Sequence, residues 1–361
     1  MKKEIFTLIL FVGSIFSFDG AFAKVWRVNN NAGVNANFTD FPAAVTGASP
    51  GDTIYLESSA TAYTGGVVAK KLVIVGSGYY LTGTPVNPNT QWNTNPSTIA
   101  GLQFTAGSAG SVLEGLTLNG VVYLGDDNIT IQRNNFGINT SSIFLGYTNH
   151  SNNDTIRQNV LYEILAYSAS NASTNLFIYN NIIIYGLSFT TNITGSNNIN
   201  GYFLNNDIGS VTYGGCTLAV ENFDMQNNIM YAPTFGTSNV YVGTNTYFNN
   251  IVSTSAAVSG IPNNNGNVFS VTFTNVYVDW NNANSGIYTA DGAFALAAGS
   301  PAIGAGSLNG TTVDCGVFGG PAPYVLSGMP QLIPSIYALT APTQVNSGTA
   351  SINVTFSAAS H

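Results

Sequence analysis

An asparagine that follows a short apolar run recurs six times in the middle of this 361-residue chain. The six segments read ITIQRNNF, DTIRQNVL, NLFIYNNIII, GYFLNNDI, FDMQNNIM and TYFNNIVS. Aligned, they place asparagines at intervals of 25, 22, 25, 22 and 22 residues, at Asn134, Asn159, Asn181, Asn206, Asn228 and Asn250. Each has an apolar residue three positions before it and another two positions after it. A period of about 20 to 50 residues indicates a solenoid or a related repeat architecture.

The period and the residue types favour a parallel β-helix over other solenoids. The apolar runs are short and rich in Ile, Val, Phe and Tyr, and Gly and Asn interrupt them, which is typical of strands and turns. Helical repeats are longer and need apolar faces with a period of about 3.6 residues. A leucine-rich repeat needs a consensus that this chain lacks. One coil of a three-sided β-helix takes about this many residues, and successive coils stack about 4.8 Å apart.

The repeated asparagine is predicted to occupy the same sharp turn of every coil. Asparagine tolerates the left-handed backbone conformation, and its side chain bonds to nearby backbone groups. Stacked coil on coil, each amide can donate to one neighbouring asparagine and accept from the other, which satisfies backbone groups buried at an inward turn. An Asn-rich linker of low complexity is the alternative, and the apolar flanks of all six copies argue against it.

Asparagine ladders in coils of this length resemble the right-handed parallel β-helix proteins of the pectate-lyase-like superfamily. FPAAVTGASPGDTIYLE (residues 41–57), followed by KKLVIVGSGYYL, resembles the opening of secreted bacterial β-helices. AGSPAIGAG (residues 298–306) and DCGVFGGPAPY (residues 314–324) resemble their last coils and closing loop. The resemblance implies an all-β fold, a right-handed parallel β-helix with a short N-terminal capping helix and a C-terminal closing loop.

The first 23 residues are predicted to be a signal peptide. Lys2 and Lys3 precede an apolar stretch at residues 5–18, and AFA at residues 21–23 fits an A-x-A cleavage site. Asp19 ends the apolar stretch before the roughly 20 residues that a membrane anchor requires, although an uncleaved anchor is the alternative. We therefore expect an exported bacterial protein, secreted or at the cell surface, with no membrane span after cleavage.

The rest of the chain divides into four predicted regions. They are an N-terminal cap with the first rung (24–60), the coils (61–300), a closing segment (301–330) and a tail with one or two strands (331–361).

Charge is scarce and negative. Only 7% of residues are charged, and the net charge is −8. Signal cleavage removes two basic and two acidic residues and leaves that charge unchanged. Nucleic-acid binding requires a basic surface, so we expect no nucleic-acid partner.

The resemblance implies where catalysis would have to lie. Enzymes of the superfamily mostly act on acidic polysaccharides, with carboxylates that hold Ca²⁺ and an Arg or Lys that removes a proton. The candidates are Arg133 and Arg157, on consecutive coils, with Asp154 and Glu163. The alternative is a surface ion-pair group, and no lyase or polygalacturonase motif is legible.

Aromatic residues suggest a carbohydrate ligand. The position after the aligned apolar residue reads Gln132, Arg157, Tyr179, Leu204, Gln226 and Phe248. Flat rings beside amides are typical of sites for neutral sugars. The candidate ligand-binding residues are therefore Tyr162, Tyr179, Tyr231 and Phe248, and ordinary exposed apolar residues are the alternative.

Metal sites and a disulfide are not expected. Oxygen-rich turns at residues 126–128 and 278–286 could take Ca²⁺ weakly, but solvated turns are the preferred interpretation. Cys216 and Cys315 are some four coils apart, roughly 15–20 Å by strand spacing, and pair only if the closing loop folds far back.

The sequence therefore favours a secreted non-catalytic surface or matrix protein that binds extracellular polysaccharide or acts as an adhesin. The alternative is a polysaccharide lyase or glycoside hydrolase. Ice or mineral binding would need a flat face of threonines in register, whereas the threonines are scattered. The oligomeric state is not predicted.

Overall fold

Parallel strands stacked coil on coil form the body of the protein. The structure is a computed structural model that describes residues 23–81, 91–137, 141–167, 171, 173–188, 199–235, 244–280, 291–331, 333–342, 344 and 351–360. The predicted signal peptide lies almost entirely outside these residues. The predicted all-β parallel β-helix, with a short capping helix and a C-terminal closing segment, is confirmed.

Face 1 of the solenoid is a ten-stranded parallel sheet. Its strands are β1 (Val25–Val28), β2 (Thr53–Leu56), β4 (Val73–Val75), β7 (Val112–Glu114), β10 (Thr130–Gln132), β12 (Thr155–Arg157), β14 (Leu176–Tyr179), β16 (Gly201–Leu204), β19 (Phe223–Gln226) and β22 (Thr246–Phe248).

On each coil the chain passes from face 1 to face 2 and then to face 3. Faces 2 and 3 belong to one sheet, because two long strands, β13 (Val160–Ala166) and β15 (Ile182–Ser188), continue through the bend between them. Face 2 also contains β5 (Thr98–Ile99), β8 (Thr117–Leu118), β17 (Asp207–Ile208), β20 (Ile229–Met230) and β23 (Ile251–Val252). Face 3 also contains β3 (Gly66–Val68), β6 (Leu102–Phe104), β9 (Val122–Leu124), β11 (Ile143–Leu145), β18 (Cys216–Ala219) and β21 (Pro233–Phe235).

The aligned apolar residues form the interior. Side chains alternate between inside and outside along each strand, so one position per strand of face 1 points inwards on every coil. The members of this stack are all buried: Ile131, Ile156, Ile178, Phe203, Met225 and Tyr247. At the N-terminal end, helix α1 (Phe41–Gly47) buries Phe41, Ala44 and Val45 against the core. Its N-cap, Asp40, accepts a hydrogen bond from the Ala43 backbone at 2.8 Å.

The C-terminal third leaves the solenoid. After helix α2 (Ala256–Ser259) come short 3-10 turns at Phe273–Asn275, Asp291–Phe294 and Leu326–Gly328 and an antiparallel hairpin, β24 (Gly306–Leu308) with β25 (Thr311–Val313). The tail forms a second hairpin, β26 (Ser335–Thr340) with β27 (Thr355–Ala359). Within the described ranges, no helix is long and apolar enough to cross a membrane.

The asparagines form a continuous ladder. The Nδ2 atom of Asn181 donates to Oδ1 of Asn206 at 3.0 Å, and Asn206 donates to Asn228 at 3.2 Å. The same oxygens accept the backbone N–H of the preceding asparagine, at 2.9 Å for Asn181. The ladder continues one coil beyond the predicted repeat, because Asn250 donates to Asn267 at 3.0 Å.

The prediction that the ladder asparagines carry the left-handed backbone is wrong. Positive φ occurs one residue earlier on each coil, with values of 53–57°. The residues are Arg133, Gln158, Asn180, Asn205, Asn227 and Asn249. The turn therefore has two parts. The residues with positive φ, called here the left-handed column, bend the chain from face 1 into face 2, and the next residue satisfies the buried backbone.

Candidate functional site

The part of the chain that follows the last coil, called here the C-terminal segment (residues 256–331), covers the outside of face 2. The outward side chains of that face, including Ile182, Ile229 and Ile251, are buried against Tyr277 and Val317. Faces 1 and 3 keep exposed outward side chains on their strands, for example Phe248 on face 1 and Val67 on face 3. Faces 1 and 3 are therefore the faces of the solenoid that are open to a ligand.

The left-handed column holds the closing segment in place. Asn180 donates to the carbonyl oxygens of Val317 and Gly319 at 2.7 and 2.8 Å, and Asn205 donates to that of Asp314 at 3.0 Å. Residues 314–331 thus run back along the solenoid, against the direction in which the coils are stacked.

Arg133 belongs to this structural column. Its side chain is 4% exposed, its Nη1 donates to the Met329 carbonyl at 2.8 Å, and its Nε donates to Gln158 at 3.1 Å. Nη1 also lies 3.6 Å from Oε1 of buried Glu114. Burial lowers the pKa of the Arg133 guanidinium. It is therefore a buried pairing residue, unlike the surface ion-pair group considered from the sequence.

The other catalytic candidates do not converge on it. Arg157 lies on the outside of face 1, where Nε donates to Gln132 at 2.7 Å and Nη1 to the Tyr179 hydroxyl at 3.1 Å. Asp154 is buried, and Glu163 lies on β13, in the part of that strand that belongs to face 3. Among the described residues, no hydrogen bond or ion pair joins either carboxyl to Arg133 or Arg157.

The two carboxyls are nevertheless perturbed by burial. Asp154 accepts the Ile129 N–H at 2.7 Å and hydrogen-bonds to Ser151, and desolvation raises its pKa to about 7. Glu163 accepts the Ser142 hydroxyl at 3.3 Å, and burial raises its pKa as well. Their contacts are those of carboxyls that bind neighbouring coils together.

An aromatic pair on face 1 borders an open groove. Phe177 and Tyr202, on adjacent strands, stack with ring centroids 5.3 Å apart and planes inclined by 12°. Because Phe177 covers one side of the Tyr202 ring, the other side is directed towards the next strand, which carries Asp224. A groove of about 440 Å³ lies there, lined by Asn175, Asn200, Gly201, Tyr202, Asn222, Phe223, Asp224, Thr244 and Thr246.

Polar groups in the groove are held in defined positions. Asp224 accepts Nε2 of Gln226 at 2.7 Å on one oxygen and the Thr246 hydroxyl at 2.9 Å on the other. Asn200 accepts the backbone N–H of Asn175 at 2.9 Å on its Oδ1. The groove thus combines one flat ring, 41% exposed in Tyr202, with amides and hydroxyls and one carboxylate.

The predicted ligand-binding residues fall into two groups. Tyr179 and Phe248 lie in one outward column of face 1, in register through Leu204 and Gln226. Tyr162 instead stacks on Tyr185, with centroids 5.2 Å apart. Tyr231 packs against Phe273 and Trp280, each at 5.4 Å, under the C-terminal segment. The column and its register follow the prediction, whereas these two tyrosines do not share its surface.

Sequence reasoning missed Phe177 and Tyr202. They occupy the position immediately before the aligned apolar residue, whereas the outward column predicted from the sequence is the position immediately after it. The signal was available, because that position reads Thr130, Thr155, Phe177, Tyr202, Asp224 and Thr246.

The two carboxylates on the strands of face 1, Glu114 and Asp224, lie too far apart to act as a pair in glycoside hydrolysis. That chemistry uses two carboxyls about 5 to 10 Å apart. Glu114 and Asp224 are separated by five strand spacings, about 24 Å. Glu114 is also buried, and it accepts Nε2 of Gln132 at 3.0 Å.

The turns proposed for weak Ca²⁺ binding have protein partners. Asp126 accepts the N–H groups of Gly107 and Ala109, at 2.8 and 3.0 Å. Asp127 lies 2.9 Å from Nδ1 of His150 and accepts the Asn152 N–H at 2.8 Å. Residues 281–286 of the second turn lie outside the described residues. In the part of the chain that the structure describes, no group of three or more His, Cys, Asp or Glu could hold a metal ion.

The two cysteines are free and buried. The closing segment does fold far back, yet the Cys315 thiol donates to the Asn249 carbonyl at 3.1 Å, and no disulfide forms. Burial raises the pKa of both thiols, that of Cys315 to about 12. Neither thiol is suited to nucleophilic chemistry, which requires a thiolate.

No family model and no curated protein matches this chain. Among solved structures, the chain is similar to the crystal structure of pectate lyase Pel9A, with 15% identity and a TM-score of 0.42, over 82% of this chain and 96% of that chain. It is also similar to the deglycosylated pectin methylesterase from Aspergillus niger, with 11% identity and a TM-score of 0.30, over 65% and 84% of the respective chains. At these identities the similarity concerns the fold alone. The sheet topology itself makes the chain a parallel β-helix protein.

Proposed function

We propose that this is a secreted, non-catalytic β-helix protein that binds neutral extracellular polysaccharide on face 1. The observation that carries the proposal is the Tyr202 ring, stacked on Phe177 on one side and bordering an amide-lined groove on the other. The apolar face of a pyranose packs on an aromatic ring, and its hydroxyls bond to amides and hydroxyls. The signal-peptide pattern supports secretion.

Charge favours a neutral glycan over an acidic one. The groove contains Asp224, and the other described residues that line it carry no formal charge. The whole chain has a net charge of −8. A polyuronate would therefore meet repulsion both at the groove and over the surface.

Affinity electrophoresis on a panel of soluble neutral and acidic polysaccharides tests the proposal. We expect a neutral glycan to retard the protein, and Tyr202→Ala to weaken that retardation and so raise the apparent Kd. Tyr337→Ala is the matched control, because Tyr337 is also 41% exposed but lies on the tail hairpin. Equal retardation of wild type and Tyr202→Ala would contradict the proposed site, and retardation by acidic glycans alone would contradict the ligand class.

A polysaccharide lyase or hydrolase is the second candidate. Arg157 favours it, because its guanidinium lies on the outside of face 1 and bonds to Tyr179. The same glycan panel can be assayed for unsaturated or reducing ends, with Ca²⁺ present and then chelated. Activity that disappears in Arg157→Ala but not in Tyr337→Ala would support this candidate over simple binding.

A further inference from the structure

We propose that face 3 carries a second site for neutral glycan, so that one molecule bridges two polysaccharide chains. The inference rests on the proposed function of face 1, whose construction it repeats. The second site is formed by an aromatic cluster around Tyr123 and by the groove beside it.

The aromatic cluster repeats the stacking seen on face 1. Tyr123 and Phe144 are paired on adjacent strands, with centroids 5.4 Å apart and planes inclined by 25°. Tyr147 and Tyr167 pack around Tyr123 at 4.4 and 5.6 Å. Tyr167 is half exposed. The four rings hold one another in position, so the Tyr123 ring is available to a ligand without reordering.

The second side of Tyr123 borders a groove. Phe144 covers one side of the ring, and the preceding strand places Gln103 beside the other. The groove measures about 340 Å³ and is lined by Gly66, Val67, Gly101, Leu102, Gln103, Gly120, Val121 and Tyr123.

Glycines keep the floor of this groove bare. A Cβ atom on Gly101 would come within 2.5 Å of the Val121 carbonyl oxygen, and one on Gly120 within 2.6 Å of the Gly101 nitrogen. Larger residues are thus excluded by the close approach of successive coils. The result is open space beside an aromatic ring and one amide, which suits a sugar ring packed on Tyr123 with a hydroxyl bonded to Gln103.

The lining identifies the class of ligand. Among the described residues, no Asp, Glu, Lys or Arg lines the groove or belongs to the aromatic cluster. Together with the net charge of −8, this favours an uncharged ligand over an acidic glycan or a nucleic acid. The amide and the tyrosine hydroxyls favour a polyhydroxylated ligand over a purely apolar one.

The two sites cannot share one short stretch of glycan. Tyr123 and Tyr202 lie on different faces and four coils apart, about 19 Å along the axis. Their available ring sides also point in opposite directions, towards the N-terminal coils for Tyr123 and the C-terminal coils for Tyr202. Separate chains are therefore the natural occupants, and bridging follows from their simultaneous binding.

The test uses the neutral glycan that retards the full chain, as a short oligosaccharide and as the long polymer. Calorimetry with the oligosaccharide should give two sites per wild-type chain, one in Tyr123→Ala, one in Tyr202→Ala and none in the double variant. Light scattering with the polymer should rise for wild type and Tyr337→Ala and stay flat for both single variants. Gln103→Ala, a smaller change, should weaken one of the two sites while circular dichroism stays unchanged.

The outcomes separate this inference from the proposed function. Two sites and full scattering in Tyr123→Ala would overturn the second site and leave face 1 as proposed. Loss of one site in Tyr123→Ala with no change in Tyr202→Ala would support the second site and refute the first. A wild-type chain that binds no neutral glycan at all would overturn both.

Discussion

The asparagine ladder predicts a large and position-dependent loss of stability when a central member is removed. Asn206 is fully buried, and its Oδ1 accepts both the backbone N–H and the Nδ2 of Asn181, at 2.9 and 3.0 Å. Its Nδ2 donates to the carbonyl of Ile178 at 2.9 Å and to Asn228 at 3.2 Å. Nδ2 also donates to the Leu204 carbonyl at 3.1 Å, and Asn206→Ala removes all five interactions in a place that water does not reach.

The magnitude follows from which groups are left without a partner. Asn181 Nδ2 keeps bonds to two carbonyls, of Ile156 and Tyr179, so its loss is partial. The Asn181 backbone N–H loses the acceptor that the ladder gives it, and an orphaned buried donor costs about 1–3 kcal/mol. With the Ile178 carbonyl and the small cavity added, we expect Asn206→Ala to lower the free energy of unfolding by roughly 3 kcal/mol.

Asn267→Ala is the matched control, because Asn267 has the same role at the end of the ladder. It accepts the Asn250 N–H at 2.9 Å and the Asn250 amide at 3.0 Å, but it is only half-buried. Water can replace the lost bonds there, so we expect a cost of about 1 kcal/mol or less.

Equilibrium urea unfolding, followed by circular dichroism and by fluorescence, measures both values. The two probes must coincide, because solenoids can unfold in parts. An equal cost for Asn206→Ala and Asn267→Ala, or a cost below about 1 kcal/mol for Asn206→Ala, would refute the argument from burial.

Three further predictions concern the buried ionisable groups. Arg133→Met should lower the free energy of unfolding by about 3–5 kcal/mol because it leaves Glu114 buried without its cation, and Arg133→Met with Glu114→Gln should recover part of that loss in urea unfolding. Burial raises the folded-state pKa of Asp154 to about 7, so its neutral form stabilises the fold fully below about pH 4, and this contribution is lost as the pH rises to about 7. The melting temperature of Asp154→Asn should therefore fall less than that of wild type between these values. Cys216 and Cys315 should resist a thiol reagent in the native state and give two thiols per chain in denaturant without reductant, whereas fewer than two would contradict free cysteines.

The fold could be predicted from the sequence because each ladder asparagine requires particular residue types close to it in the chain. Each asparagine must sit at one turn, with an apolar residue at fixed offsets on either side, so the period and the interior stack are both legible in the alignment. The register followed as well: Gln132, Arg157 and Tyr179 are paired on successive strands as the alignment requires.

The course of the C-terminal segment could not be predicted in the same way. Its contacts reach back more than 100 residues, for example from Asn180 to Val317 and from Arg133 to Met329. Residues 306–331 contain no repeat that would indicate a segment running back along the solenoid. The groups that accept these hydrogen bonds are backbone carbonyls, which every residue has, so the sequence does not identify them. Arg133 therefore resembled a surface residue in the alignment, although it is buried.

Whether face 1 can hold a pair of catalytic carboxyls depends on the distances between outward positions on its coils. Residues at one position of successive coils lie about 4.8 Å apart, and alternate residues of one strand about 7 Å apart, so a carboxyl pair for hydrolysis on face 1 would come from one coil or from coils one or two steps apart. The outward columns of face 1 contain Glu114 and Asp224, five steps apart, and the positions between them carry neutral groups and Arg157. On the strands within two steps of Asp224, the other outward residues are Gln226 on β19, Phe177 and Tyr179 on β14, Tyr202 and Leu204 on β16, and Thr246 and Phe248 on β22, and none of them is a carboxylate. The same two columns place an aromatic ring beside hydroxyls and amides, which is the arrangement on which the proposed retention of a glycan rests.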